Sequence, residues 1–289
     1  MSETKPLPEL RPAPVFKAPP LAITVVVPAR NAEDILEECL ASIAESGAAE
    51  IIVVDGNSSD RTVEIARTYA SQILNDDGKG LPAARLMGAQ AATQPLIALI
   101  DADVVLHPGA LRELVDEYEL DGYDALQAGL LSESGSGYWG QALAHHHRTG
   151  RSKDWFGLVA TVISRDILLE HGFDAAFLSG EDIEFRWRLA RAGLKLGVSK
   201  KTIVAHRFGD TFDFAKGQWL ADGHGLGRMV AKHPLRGARL LTLPLAAAGR
   251  GSVLALLRRE PRWLPYYALF AAYNYVGMGS EIGRRLTSR

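Results

Sequence analysis

Two carboxylates one residue apart, Asp101 and Asp103 on either side of Ala102, follow directly on the apolar run Leu96-Ile97-Ala98-Leu99-Ile100. Five consecutive apolar residues after Pro95 have the length and composition of a strand buried on both faces. Alternation along an extended chain aims residues two apart to the same side. Two oxygen donors at the carboxyl end of such a strand can hold a hard divalent cation, and that cation can hold a diphosphate. The same residues also read as an acidic turn in which Asp103 and His107 end the strand ahead of Pro108. A second segment, Gly180-Glu181-Asp182-Ile183-Glu184-Phe185-Arg186-Trp187-Arg188, places three acids before two arginines and a tryptophan. Acids favour the positive end of a helix. They can equally form a site that deprotonates one group while the cations bind another. His206 ends the run Thr202-Ile203-Val204-Ala205, either as a structural residue or as a nitrogen ligand beside Asp103.

The elements that must position these residues follow from the apolar runs. Ile23 to Val27 reads as a strand that stops at Pro28, followed by the loop Pro28-Ala29-Arg30-Asn31 and a helix from Ala32 to Glu45. Ile51 to Val54 is a second buried strand ending on Asp55. Gly56 to Asp60 is turn material, with Asp60 as N-cap of the next helix. A short strand, Ser71 to Leu74, leads into the polar turn Asn75 to Gly80. Pro82 then opens a helix through Ala92 that carries Arg85. Four strands alternating with helices predict an α/β fold with a mostly parallel, doubly wound sheet. Ligands bind such sheets at the carboxyl ends of the strands. That edge presents Pro28, Ala29, Arg30, Asn31, Asp55, Lys79, Arg85, Asp101 and Asp103. The mixture of acceptors and cations suits a nucleoside diphosphate with a metal better than a hydride cofactor. No P-loop is present, and Gly135 to Gly140 matches G-x-G-x-x-G too late to open a βαβ unit, so it reads as a flexible loop. His145-His146-His147 reads as polar helix surface, because adjacent helical residues face different ways.

Composition sets the remaining limits. The 289 residues carry a net charge of −2 and one cysteine, Cys39, which falls at helical spacing among Ile35, Leu36, Leu40 and Ile43 and reads as core. A lone cysteine excludes an internal disulfide framework and fits a reducing, cytoplasmic location. Residues 1–21 are proline-rich and predict an extended leader ahead of a catalytic domain over 22–230. From Arg228 onward there are eleven Lys or Arg against two acids. Residues 231–289 therefore predict a basic, apolar, amphipathic helical region. It would contact the cytoplasmic face of a membrane peripherally, or else pack as a cap or a homodimer interface.

In this order the pieces resemble an inverting glycosyltransferase of family 2 with the GT-A fold. The resemblance rests on Pro28-Ala29-Arg30-Asn31, Val53-Val54-Asp55-Gly56-Asn57-Ser58-Ser59-Asp60-Arg61-Thr62, Arg85, Asp101-Ala102-Asp103, Glu181-Asp182 and His206, and it spans roughly 22 to 210. It implies a hexosyl transfer from a nucleoside-diphosphate sugar, a UDP-sugar first, to a hydroxyl of a glycan, lipid-linked or small-molecule acceptor, with no nucleic acid involved. Asp55 would accept from a uracil-like base, Asp101 would stand near the ribose or a metal-bound water, and Asp103 with His206 and Asp101 would hold Mn²⁺ or Mg²⁺. Arg85 and Lys79 would add positive charge, Asp182 would be the general base, and Glu181 would orient the acceptor. Arg30 stands where many members have an aromatic, which turns it toward a phosphate. The rival readings are a sugar nucleotidyltransferase, whose glycine- and arginine-rich loop after the first strand is missing, and an inactive membrane-associated binding protein.

Overall fold

The computed structural model describes residues 19–150 and 155–287. The expected leader lies outside the described residues except for 19–21, and Leu21 already opens the first strand. β1 (Leu21–Ala29), β2 (Ala48–Asp55), β3 (Gln72–Asn75) and β4 (Leu96–Ile100) form a parallel half-sheet. These strands are apolar on both faces because both faces are covered. Val25, Val27, Val53 and Ile100 enter one core with α1 (Leu36–Ala44) and α2 (Thr62–Tyr69), whose Leu36, Cys39, Leu40, Ile43 and Ala66 are buried there. Val26, Ile52, Val54, Ile97 and Leu99 enter the opposite core with Ala84 and Ala89 of α3 (Leu81–Ala91).

β5 (Val104–Val105), β6 (Ala125–Ser134), β7 (Ala160–Ser164) and β8 (Leu196–Phe208) complete one eight-stranded sheet in the order β3-β2-β1-β4-β7-β6-β8-β5. β7 runs antiparallel between β4 and β6, β8 is parallel to β6, and β5 turns back antiparallel on β8. The pairing of Val104 with His206 brings the residue before β5, Asp103, alongside the end of β8. α4 (Ala110–Leu120) covers one core, and α6 (Arg165–His171) and α7 (Glu181–Arg191) cover the other.

α5 (Tyr138–Thr149) corrects two sequence readings. Its three histidines are packed rather than surface-polar: His145 stacks on Trp263, His146 meets Phe270, and His147 meets Phe208, all within 4.8–4.9 Å between ring centres. Burial pushes His146 down to about 4 and His147 down to about 3, so both are neutral rings in an aromatic seam. The glycine-rich stretch before this helix is not slack either. A Cβ on Gly137 would lie 2.6 Å from the Asp210 side chain, and Gly135 and Gly140 are as close to the same carboxylate. Asp60 is not the N-cap of α2: Arg61 holds that position, and Asp60, one residue ahead of it, accepts from Thr62 N (3.0 Å) and Thr62 Oγ1 (2.6 Å).

α8 (Phe212–Lys232) runs through the expected boundary at 230/231. It is followed by α9 (Pro234–Gly237), a 3-10 turn (Ala238–Thr242), α10 (Leu243–Leu257), a second 3-10 turn (Pro261–Trp263) and α11 (Leu264–Thr287). Trp263, Tyr266, Tyr267 and Phe270, which composition alone allows at a membrane interface, are buried against Trp219 and Ala215 of α8 and against α5. α10 does the reverse of a core helix: it buries Pro244, Ala248, Gly251 and Ala255 and exposes Leu245, Val253, Leu256 and Leu257. Pro234–Leu257 is long and apolar enough to cross a membrane by length and composition, with 28% of its most apolar window buried.

The crossing of α8 and α11 depends on glycine. A Cβ on Gly277 would lie 2.5 Å from Leu220 O, one on Gly227 would lie 2.8 Å from Met278 O, and one on Gly223 would overlap Asn274 O. Backbone atoms cannot step aside as side chains do. Gly223→Val is therefore expected to cost about 2–3 kcal/mol by overpacking, read as a lower urea midpoint by circular dichroism.

Candidate active site

The carboxyl edge of the parallel half-sheet is stitched together by short polar bonds. Ala29 lies in register with Asp55, and both Pro28 and Ala29 are buried. Asn31 takes a left-handed conformation (φ 47°), which an asparagine tolerates. Its N–H donates to Ser58 Oγ (2.9 Å), and its Oδ1 accepts from Ser59 N (2.9 Å). Arg30 is exposed, with its stem over Gly56, where a Cβ would lie 3.2 Å away. Asp55 is buried and accepts only from Ser58 N (3.2 Å) among the described residues, so acceptor capacity is left at a strand end. Lys79 is exposed and paired with Asp77 at 3.3 Å, and among the described residues it forms no ion pair with the acids of the site.

Arg85 joins the two key segments. It is buried on α3; its Nη2 donates to Asp101 Oδ1 (2.7 Å) and its Nη1 donates to Glu181 Oε1 (2.8 Å). A buried guanidinium is tolerated when its fork is filled by carboxylates. Here those carboxylates come from the end of β4 and the start of α7. Burial pushes Asp101 up, Arg85 pulls it down, and neighbouring Asp103 raises it again.

With Asp101 engaged by Arg85, Asp103 meets His206. Asp103 Oδ2 lies 3.3 Å from His206 Nε2, while Asp103 Oδ1 and His206 Nδ1 are buried with no hydrogen-bond partner among the described residues. Burial lowers His206, but the bond to Asp103 and the charges of Asp103 and Asp101 raise it overall. A carboxylate and an imidazole side by side, each with an orphaned polar atom, fit a divalent cation as two of its ligands. Among the described residues no three His, Cys, Asp or Glu side chains gather at metal-holding spacing. Asp101 thus stands beside the pair, tied to Arg85, rather than as a third ligand. Ala102 is half-buried between the two acids.

Asp182 opens α7 one residue after Glu181. Burial pushes its carboxyl up to about 7, Glu181 adds to the rise, and Asp222 of α8 stands close enough to repel it. The preceding Gly180 takes φ 73°, and a Cβ there would lie 2.6 Å from Gly225 Cα, so α7 begins directly on α8. A Cβ on Gly157 would lie 3.5 Å from Asp182 Oδ2. Three residues with no sequence signal hold these loops. Gln127 accepts from Gly157 N (2.7 Å) and donates to Trp155 O (3.1 Å). Asp76, buried in the turn before α3, accepts from Gly78 N (2.8 Å) and Gly80 N (3.0 Å). Asp222 is one of two acids on a long helix, and acts on Asp182 only through its charge.

The model of Glycosyl transferase family 2 matches residues 24–178, more than half of the chain. An uncharacterized glycosyltransferase of Mycobacterium tuberculosis is 39% identical over 98 residues, which is 34% of this chain and 44% of the relative. The succinoglycan biosynthesis protein ExoU of Rhizobium meliloti is 32% identical over 114 residues, 37% of this chain and 32% of the relative. The chain thus spans less than half the length of these curated relatives. Among solved structures, the mannosyltransferase PcManGT from Pyrobaculum calidifontis, in complex with GDP-Man and Mn²⁺, superposes with a TM-score of 0.63 at 19% identity, covering 91% of this chain and 88% of its own. Glucosyl-3-phosphoglycerate synthase from Mycobacterium tuberculosis, with Mn²⁺, UDP and glucosyl-3-phosphoglycerate, follows at 0.54 and 19%, covering 72% and 78%. These likenesses give the fold as GT-A with added C-terminal helices. With a match that runs from β1 to the loop before α7, the chain belongs to glycosyltransferase family 2 and is a transferase enzyme.

Proposed function

We propose that the chain transfers a sugar, with inversion, from a UDP-sugar to an acceptor hydroxyl, with Asp182 as general base and Asp103 and His206 holding Mn²⁺ or Mg²⁺. The observation that carries this reading is the pair of salt bridges that Arg85 makes, one to Asp101 and one to Glu181. It sets the edge where a donor diphosphate would lie directly against the acid pair that would receive the acceptor. The sources of the two halves agree in kind, since the structural neighbours carry GDP-Man or UDP together with Mn²⁺.

In this reading Asp55 accepts from the imide of the base, and the Pro28–Asn31 loop lines the nucleotide, with Arg30 free to reach a phosphate. Asp103 and His206 would hold a divalent ion, which would supply positive charge to the diphosphate. Arg85 adds a fixed cation behind Asp101. Asp182 removes the acceptor proton as the acceptor oxygen attacks the anomeric carbon. The bond from that carbon to the diphosphate oxygen breaks, and the diphosphate leaves with the electron pair. A carboxylate raised to about 7 is a stronger base than a free one, and at neutral pH a substantial share of it is ionised and able to take a proton. Glu181 is held by Arg85 and fixes the start of α7 on which Asp182 stands.

Calorimetric titration of UDP tests the donor site. Binding is expected only with Mn²⁺ or Mg²⁺, and Asp103→Ala is expected to abolish the metal dependence. Binding that is equal with and without metal would overturn the assignment; binding of GDP or dTDP in place of UDP would move the base and keep the metal site. For the base, kcat/KM of transfer is expected to fall about tenfold per unit below pH ~7 as Asp182 gains its proton, with a plateau above. Asp182→Asn is expected to lose about 10²–10⁴ in rate, with UDP affinity retained.

The outward leucines of α10, flanked by Arg236, Arg239, Arg250, Arg258 and Arg259, support peripheral contact with an anionic membrane surface. Co-sedimentation with phosphatidylglycerol vesicles is expected for the full chain. Leu245→Glu and Leu256→Glu should each weaken it about tenfold, and equal recovery with neutral vesicles would remove the charge component.

A further inference from the structure

One cation near the base is left without a role in the transfer as written. Arg186 lies one helical turn after Asp182, on the same face of α7. Its guanidinium lies flat over Trp155, 4.3 Å from the ring centre. Trp155 belongs to the loop that Gln127 anchors and that brings Gly157 against Asp182. Arg186 Nη1 is buried and has no hydrogen-bond partner among the described residues, and Asp182 and Arg186 form no ion pair there. Burial works against the charge of Arg186, and the negative charge of Asp182 partly restores it. A second guanidinium, Arg239 in the turn before α10, lies over Trp187 at 5.3 Å and is close enough to repel Arg186.

A buried cationic donor with no acceptor is costly, and the exposed guanidinium of Arg239 adds positive charge to the same neighbourhood. An oxyanion bound by Arg186 removes the penalty and draws on both charges. A guanidinium clamped on an aromatic face keeps its fork pointed and suits the geometry of a phosphoryl group. The position matters as much as the charge. Arg186 stands one turn after Asp182 and feels its charge, while Glu181, the residue bound by Arg85, lies five positions earlier and so well around the helix from Arg186. We infer that Arg186, together with Arg239, binds a phosphoryl group carried by the acceptor close to the hydroxyl that receives the sugar. This rests on Asp182 being the base, and it names the class of acceptor: a phosphate ester. Arg239 leads straight into α10 with its exposed leucines, so the ester can belong to a lipid headgroup or to a soluble molecule.

Two soluble probes separate these sources: glycerol 1-phosphate, and dihexanoyl phosphatidylglycerol below its micelle concentration. Each is titrated into the full chain, with and without UDP and Mn²⁺, by calorimetry and by tryptophan fluorescence, for which Trp155 is the reporter. Saturable binding of at least one probe is expected. Arg186→Ala should weaken it about tenfold or more, Arg186→Lys should recover part of the loss, and UDP affinity should stay within about twofold, as a lost charge-assisted contact remote from the nucleotide requires. Preference for the short-chain lipid would assign the headgroup, and preference for glycerol 1-phosphate the soluble ester. Failure of both probes on a protein that binds UDP with Mn²⁺, or equal binding by wild type and Arg186→Ala, would overturn the inference. A protein that binds a probe through Arg186 but binds no nucleotide would overturn the donor reading and leave the phosphoryl site standing.

Discussion

Arg85 is the constraint on which the site depends. An arginine that is fully buried must have its charge answered, and the answer comes from two carboxylates that are distant in sequence, Asp101 and Glu181. Each partner needs the others. Without Arg85 two acids would stand buried and unpaired, and without either acid a permanent cation would be stranded. Lysine could not substitute, because one point charge cannot make two divergent bonds in a plane. The triad fixes α3, the end of β4 and the start of α7 relative to one another. It also fixes what the remaining acids can do. Asp101 is occupied, so Asp103 is left with His206; Glu181 is occupied, so Asp182 is left without an ion pair among the described residues.

The parallel half of the fold was legible because its signal is local. β4 matches its expected span of Leu96 to Ile100, since a strand covered on both faces has to be apolar at every position. Asp55 and Asp101 were legible at strand ends for the same reason, whereas the strand expected to end on His206 runs on to Phe208. What escaped was everything decided by a distant partner. The histidines of α5 read as surface because nothing nearby says that Trp263 and Phe270, more than a hundred residues later, will cover them. The glycines before α5 look like a slack loop until Asp210 fills the space that their missing side chains leave. Gln127 is a single amide in a strand, and its three bonds to the Trp155–Val159 loop have no pattern to announce them. The pairing of Arg85 with Glu181 spans 96 positions, and only the fold reveals it.

The C-terminal helices show why composition alone could not separate a cap from a membrane contact. Both need apolar residues, aromatics and flanking arginines. They differ in which residues turn inward. In α11 the large aromatics face α8, as a core demands; in α10 the small residues do, and the large ones are left outside. One region thus contains both answers, side by side.

The glycines of α8 have a mechanical meaning. Gly225 touches the backbone at Gly180, and Gly223 and Gly227 touch the backbone of α11 on another side of the same helix. Ordinary helix contacts pass through layers of side chains, which yield by changing rotamer and absorb small displacements. Here two of the layers have no thickness. A shift of the last helix, whatever presses on it, reaches the hinge glycine ahead of Glu181 and Asp182 with nothing soft in between. The stiffness of the cap is therefore passed to the start of α7, and the position of Asp182 relative to Asp101 and Asp103 is set in part from outside the sheet that carries those two acids.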